Sequence, residues 1–100
     1  IRTFETATRF TLDIAAVPVI HKQSLYPVCI DVSHPAGQRD LVPALAYAAI
    51  AAGADSIMIE VHPNPPVALS DGPQQLTPAQ FAELVERLRD VAAVFGKKIV

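Results

Sequence analysis

Apolar positions along this chain follow two different spacings, and each predicts its own kind of element. Phe81, Leu84, Val85, Leu88, Val91 and Phe95 recur every third or fourth residue, which predicts a helix through "TPAQFAELVERLRDVAAVFG", residues 77–96. Thr77 is placed as its N-cap, Pro78 takes its first position, Gln80 follows three residues after the cap, and Gly96 stops it. "RDLVPALAYAAIAAGAD", residues 39–55, predicts another helix, with Pro43 in the first turn and Gly53 at the C-terminal end. A shorter helix is predicted from Asp13 to about Lys22, with Asp13 as N-cap and a middle strained by Pro18.

Between these periodic segments lie short unbroken apolar runs. "YPVCIDV" and "DSIMIEV" have the length and composition of buried strands, and the second opens into the Pro-rich loop "HPNPPVALSDGPQQ". The order is helix, strand, helix, strand, long loop, helix, and the intervening helix is long enough to return the chain so that the strands run parallel. That alternation makes the chain an α/β protein. Strands that read as apolar on both faces want neighbours on either side, so the segment is expected to be part of a larger α/β barrel or sheet. The opening at Ile1, inside sequence that reads as ordered, suggests the same.

Composition narrows the classes. One hundred residues, 51% of them hydrophobic, fit a single ordered domain. A net charge of −2 with no cluster of Lys or Arg gives no footprint for nucleic acid or an anionic membrane. The apolar runs are shorter than a bilayer requires and the N-terminus lacks the pattern of a signal peptide, so a soluble, cytoplasmic protein is expected. The single Cys29 excludes an internal disulfide and is expected to be a small buried hydrophobe.

In parallel α/β architectures, chemistry collects at the carboxyl ends of the strands. Asp31, Ser33 and His34 leave the first strand there, and Glu60, His62 and Asp71 come after the second. An imidazole and two carboxylates converging from neighbouring strand ends suit a divalent cation such as Mn, Fe, Co or Zn. The same residues have ordinary alternatives: Glu60 paired with Arg39 or Arg2, His34 capping the helix near Arg39, and Asp71 as a turn residue. "HPAGQRD", a Gly-containing loop beside Arg39, is also a possible phosphate cradle.

"RTFE", "IDVSHPAGQRDLV", "EVHP" and "ALSDG", in this order, resemble the C-terminal part of 3-deoxy-D-arabino-heptulosonate 7-phosphate (DAHP) synthases. The branch concerned is the one that also resembles 3-deoxy-D-manno-octulosonate 8-phosphate synthase. The resemblance spans essentially the whole chain. It implies that residues 1–100 are the C-terminal portion of a (β/α)8 TIM barrel, comprising its last two strands and the surrounding helices. It also implies a metal-dependent, aldol-like condensation of phosphoenolpyruvate with erythrose 4-phosphate. That reaction is a transferase step, the first of the shikimate pathway to the aromatic amino acids. The octulosonate activity and a non-catalytic, self-associating half-barrel are the alternatives, with a homo-oligomer expected in general.

Carried over residue by residue, the resemblance implies His34, Glu60 and Asp71 as metal ligands. Asp71 is the candidate for assisting catalysis, and Arg2 of "RTFE" is a candidate for binding substrate. The family's fourth ligand, a Cys from an early strand, has no match, since Cys29 stands where the family carries an aliphatic residue. Val32, "PAG" and Phe10 are smaller departures. The isolated hundred residues are expected to be catalytically silent.

Overall fold

The computed structural model describes residues 1–100. Its elements are α1 (Ala16–Gln23), β1 (Cys29–Asp31), α2 (Ser33–Ala36), α3 (Val42–Ala51), β2 (Ser56–Met58), two 3-10 turns (Pro65–Val67 and Gly72–Gln74) and α4 (Pro78–Val94). The two strands pair in parallel with Ile30 opposite Ile57, as the alternation of elements predicts, and no helix is long and apolar enough to cross a membrane.

Strand geometry divides the sheet into two unlike faces. Val28, Ile30 and Val32 point one way and are buried, packed in one core with Ala46, Ala49 and Ile50 of α3 and Leu84, Leu88 and Ala92 of α4. The residues between them point the other way, and because Cys29 pairs with Ser56 and Asp31 with Met58, these four share an open face. Cys29 is therefore exposed, contrary to the expectation of a buried hydrophobe, because it takes the odd register position on a face that no helix covers. Met58 is exposed for the same reason in these hundred residues.

Helix ends obey local chemistry with two corrections. At α4 the Thr77 hydroxyl accepts the Gln80 N–H at 3.2 Å and the Gln80 side chain accepts the Thr77 N–H at 2.9 Å, a complete capping box. Asp13 is not the N-cap of α1. That cap is Ala15, with no side-chain bond, and Asp13 contributes only its carbonyl to the Ala16 N–H. Because α1 starts at Ala16, Pro18 falls in its first turn, where a missing N–H breaks nothing, and the expected strain does not arise.

The segment after β1, expected as a loop, folds as the short helix α2, closed by Gly37 in the left-handed conformation at φ 66°. A Cβ at Gly37 would stand 2.5 Å from the Arg9 Cβ, so only glycine lets the "TATRF" segment approach α2. The loop after β2 is tied back by a parallel bridge between Val61 and Leu76.

Candidate metal centre

β1 ends at Asp31, whose carboxylate organises the turn into α2. Oδ1 accepts the backbone N–H groups of Ser33 and His34 at 3.0 and 3.1 Å, starting the helix, while Oδ2 lies 2.7 Å from His34 Nδ1. A carboxylate only accepts, so Nδ1 carries the proton and Nε2 is turned outward.

The Ser33 hydroxyl, fully buried, accepts the Glu60 N–H at 2.9 Å and so fastens the exit of β2 to the exit of β1. Glu60 Oε1 then lies 3.8 Å from His34 Nε2. Asp71 sits at φ 53° and ψ 26°, a left-handed backbone that Asp tolerates better than most residues, immediately before the second 3-10 turn. Its Oδ2 is 3.4 Å from the same nitrogen. One ligand atom from each of His34, Glu60 and Asp71 falls within 4.8 Å of the other two.

This donor set fits a divalent cation. Two carboxylates face one imidazole nitrogen that has at most a single proton to offer, so negative charge is in excess at their meeting point. One nitrogen and two oxygens match the preference of Mn, Fe, Co or Zn, and an Asp on the distal ring nitrogen is the usual support of a metal-bound histidine. Burial pushes the His34 pKa down, but the Asp31 hydrogen bond and the charges of Asp31, Glu60 and Asp71 outweigh it and hold the pKa above the ordinary 6.5. The hydrogen bond from Arg9, opposed by partial burial, holds the Asp71 carboxyl below the ordinary 3.8.

Two supporting residues carry no signal in the sequence. Arg9 Nη1 donates to Asp71 Oδ1 at 2.5 Å and to Gln74 Oε1 at 2.8 Å, and Gln74 Nε2 donates to Glu60 Oε2 at 2.5 Å. Neither belongs to a motif with a recognisable role, and Gln74 reads in sequence as one more polar loop residue.

Of the ordinary alternatives one holds beside the cluster: Asp71 is also a turn residue, its carbonyl accepting the Gln74 N–H at 3.1 Å, and the other two do not form. Glu60 pairs with neither Arg39 nor Arg2, and His34 lies inside α2 and does not cap α3. Arg39 instead donates to the carbonyls of Gly72 and Pro73, at 3.0 and 3.4 Å, so its guanidinium supports the Asp71 loop. Arg2 makes no ion pair with the cluster; its guanidinium lies 4.9 Å from the centre of the Phe10 ring, which Arg9 also approaches at 5.2 Å. His62 Nδ1 accepts the Asn64 N–H in a local turn. Cys29 belongs to the body of β1, whereas the cluster forms beyond the carboxyl ends of the strands.

Comparison with known proteins gives a consistent answer. Residues 1–95 match the profile of the DAHP synthetase I family. A phospho-2-dehydro-3-deoxyheptonate aldolase of Thermotoga maritima is 54% identical over 99 residues, covering 99% of this chain and 29% of the relative. A 2-dehydro-3-deoxyphosphooctonate aldolase of Desulfosudis oleivorans is 42% identical over 88 residues, covering 77% of this chain and 32% of the relative. The crystal structure of the Thermotoga maritima heptonate aldolase (DAHP synthase) superposes with a TM-score of 0.96 at 54% identity, over 100% of this chain and 30% of that one. The chain thus spans about a third of the length of the relatives it matches.

Proposed function

The chain belongs to the DAHP synthetase I family, and from that premise we propose that it forms the C-terminal portion of a (β/α)8 barrel that condenses phosphoenolpyruvate with erythrose 4-phosphate. The convergence of His34 Nε2 with carboxylate oxygens of Glu60 and Asp71 beyond two paired parallel strands carries this reading. The greater identity to the heptonate than to the octonate aldolase, 54% against 42%, favours the four-carbon aldehyde as acceptor.

In the proposed reaction C3 of phosphoenolpyruvate bonds to the aldehyde carbon, water adds at C2, and phosphate leaves. His34, Glu60 and Asp71 would hold a divalent ion that, when bound, supplies Lewis acidity toward the aldehyde oxygen. Asp31 keeps the His34 proton on Nδ1, so that Nε2 is the nitrogen offered to the site. Asp71, kept ionised by Arg9, is the carboxylate available to take a proton from the attacking water. Arg2, whose charge is committed to no carboxylate, is the nearby cation proposed to meet a substrate phosphate.

The remaining strands of the barrel would supply further phosphate contacts, so the hundred residues alone are expected to show no turnover. The test is phosphate release from the two substrates by the complete polypeptide carrying this chain, before and after chelation and with Asp71→Asn. Loss of turnover on chelation, its return with added Mn or Co, and a drop of about 100-fold or more in kcat for the variant are expected. Full turnover by Asp71→Asn, or indifference to chelation, overturns the reading.

A further inference from the structure

Gln74 is only 1% exposed and is the largest fully enclosed side chain in the chain. A carboxamide so deeply buried is unfavourable unless every polar atom is satisfied, and an apolar side chain of similar size fills such a space at less cost. Its partners explain its presence. Arginine has no acceptor, so the Arg9 contact fixes Oε1 on the arginine side; the carboxamide cannot flip, and Nε2 must point at Glu60.

The two carboxylates are held by the same logic. Arg9 takes Asp71 Oδ1 directly and leaves Oδ2 facing His34 Nε2. Through Gln74 it takes Glu60 Oε2 and leaves Oε1 facing that same nitrogen. Arg9 is itself held, since its guanidinium lies against Phe10 and its Cβ is seated over Gly37.

We propose that Arg9 and Gln74 form one directional clamp, positioning residues that select which oxygen of Glu60 and of Asp71 is presented to a divalent cation. The inference rests on the metal reading above and adds to it two residues that touch neither cation nor substrate. Without the clamp each carboxylate is free to rotate, and the mutual repulsion of the two turns them apart.

Optical titration with Co²⁺ of the complete polypeptide tests it, with thermal melting of the metal-free protein alongside. Gln74→Met keeps the volume and removes the relay. Because Arg9 and Glu60 are both partly exposed and can turn to water, the metal-free melting temperature is expected to change little, while the Kd for Co²⁺ rises about 10–100-fold and the visible bands of the bound ion shift. A residue that merely held the fold would show the reverse, a lower melting temperature and the same Kd. Arg9→Lys keeps the charge but loses the planar fork, and a weakening smaller than that of Gln74→Met is expected. Should Gln74→Met not fold, Arg9→Lys decides alone, with an unchanged Kd overturning the clamp and a raised Kd supporting it. Equal Co²⁺ affinity of wild type and Gln74→Met overturns the clamp and leaves the metal site standing. Failure of the wild type to bind Co²⁺ overturns the metal site and the clamp with it.

Discussion

Ser33→Ala removes one oxygen atom, and the structure indicates what that atom holds. The Ser33 side chain has no exposure, and its Oγ is the partner of the Glu60 N–H at 2.9 Å. With alanine at this position the Glu60 N–H loses its partner, so the loss is that of a bond plus an unsatisfied donor. Removing one partner of a buried pair costs about 1–3 kcal/mol. With a urea m-value of about 1.5 kcal/mol/M for a chain of this size, the unfolding midpoint falls by roughly 0.7–2 M. The internal control is Ser24→Ala. The Ser24 hydroxyl takes part in two hydrogen bonds, with the Ile20 carbonyl at 3.2 Å and the Tyr26 N–H at 3.3 Å, but in exposed surroundings where water replaces it. Its loss is expected to shift stability by less than about 0.5 kcal/mol. Hydrogen exchange adds a local reading, since the Glu60 amide is expected to lose protection in Ser33→Ala alone. Equal midpoints for the two variants, with the Glu60 amide still protected, would refute the claim that Ser33 ties the two strand exits together.

Two further changes act on the scaffold. Gly37→Ala forces a left-handed alanine and drives a methyl into Arg9, so a loss of about 1–3 kcal/mol by urea unfolding is expected, together with weaker Co²⁺ binding as Arg9 moves; unchanged stability would show that α2 and the "TATRF" segment do not meet closely. At the opposite end of the sheet, the Val28 N–H and then His21 hold the Asp55 carboxyl below its ordinary 3.8. The unfolded chain therefore binds the proton more readily, and the stabilisation is present above the ordinary value and lost as pH falls through the lower folded one. Melting temperatures measured downward from pH 5 should fall less steeply in Asp55→Asn than in wild type, and parallel curves would show that Asp55 plays no part in the acid sensitivity.

Much of this protein is decided by local chemistry and is legible in its sequence. The capping box of Thr77 and Gln80 and the apolar stripe from Leu84 to Ala92 mark α4 in the sequence, because spacing and capping act over a few residues. Short apolar runs separated by a helix-forming segment determine two parallel strands for similar reasons. His34, Glu60 and Asp71 are visible in the sequence as residues just past strand ends, and their order within the motifs resembles that of a known family.

Only the tertiary structure decided which oxygen of each carboxylate faces His34, that Asp31 fixes the imidazole, and that Arg9 and Gln74 stand behind the cluster. Arg9 and Asp71 are separated by 62 positions along the chain, and Gln74 ends the second 3-10 turn, in a stretch with no periodicity. Their meeting depends on Gly37 allowing a close approach and on the register of β1 against β2. The fate of Cys29 and Met58 depends on that same register, because the alternation of a strand assigns two faces, and which face is covered is set by where α3 and α4 pack. Local sequence shapes α4, while α2 and the start of α1 are not legible in it. The direction in which a side chain points across the gap between elements is settled by packing, which no short stretch of sequence contains.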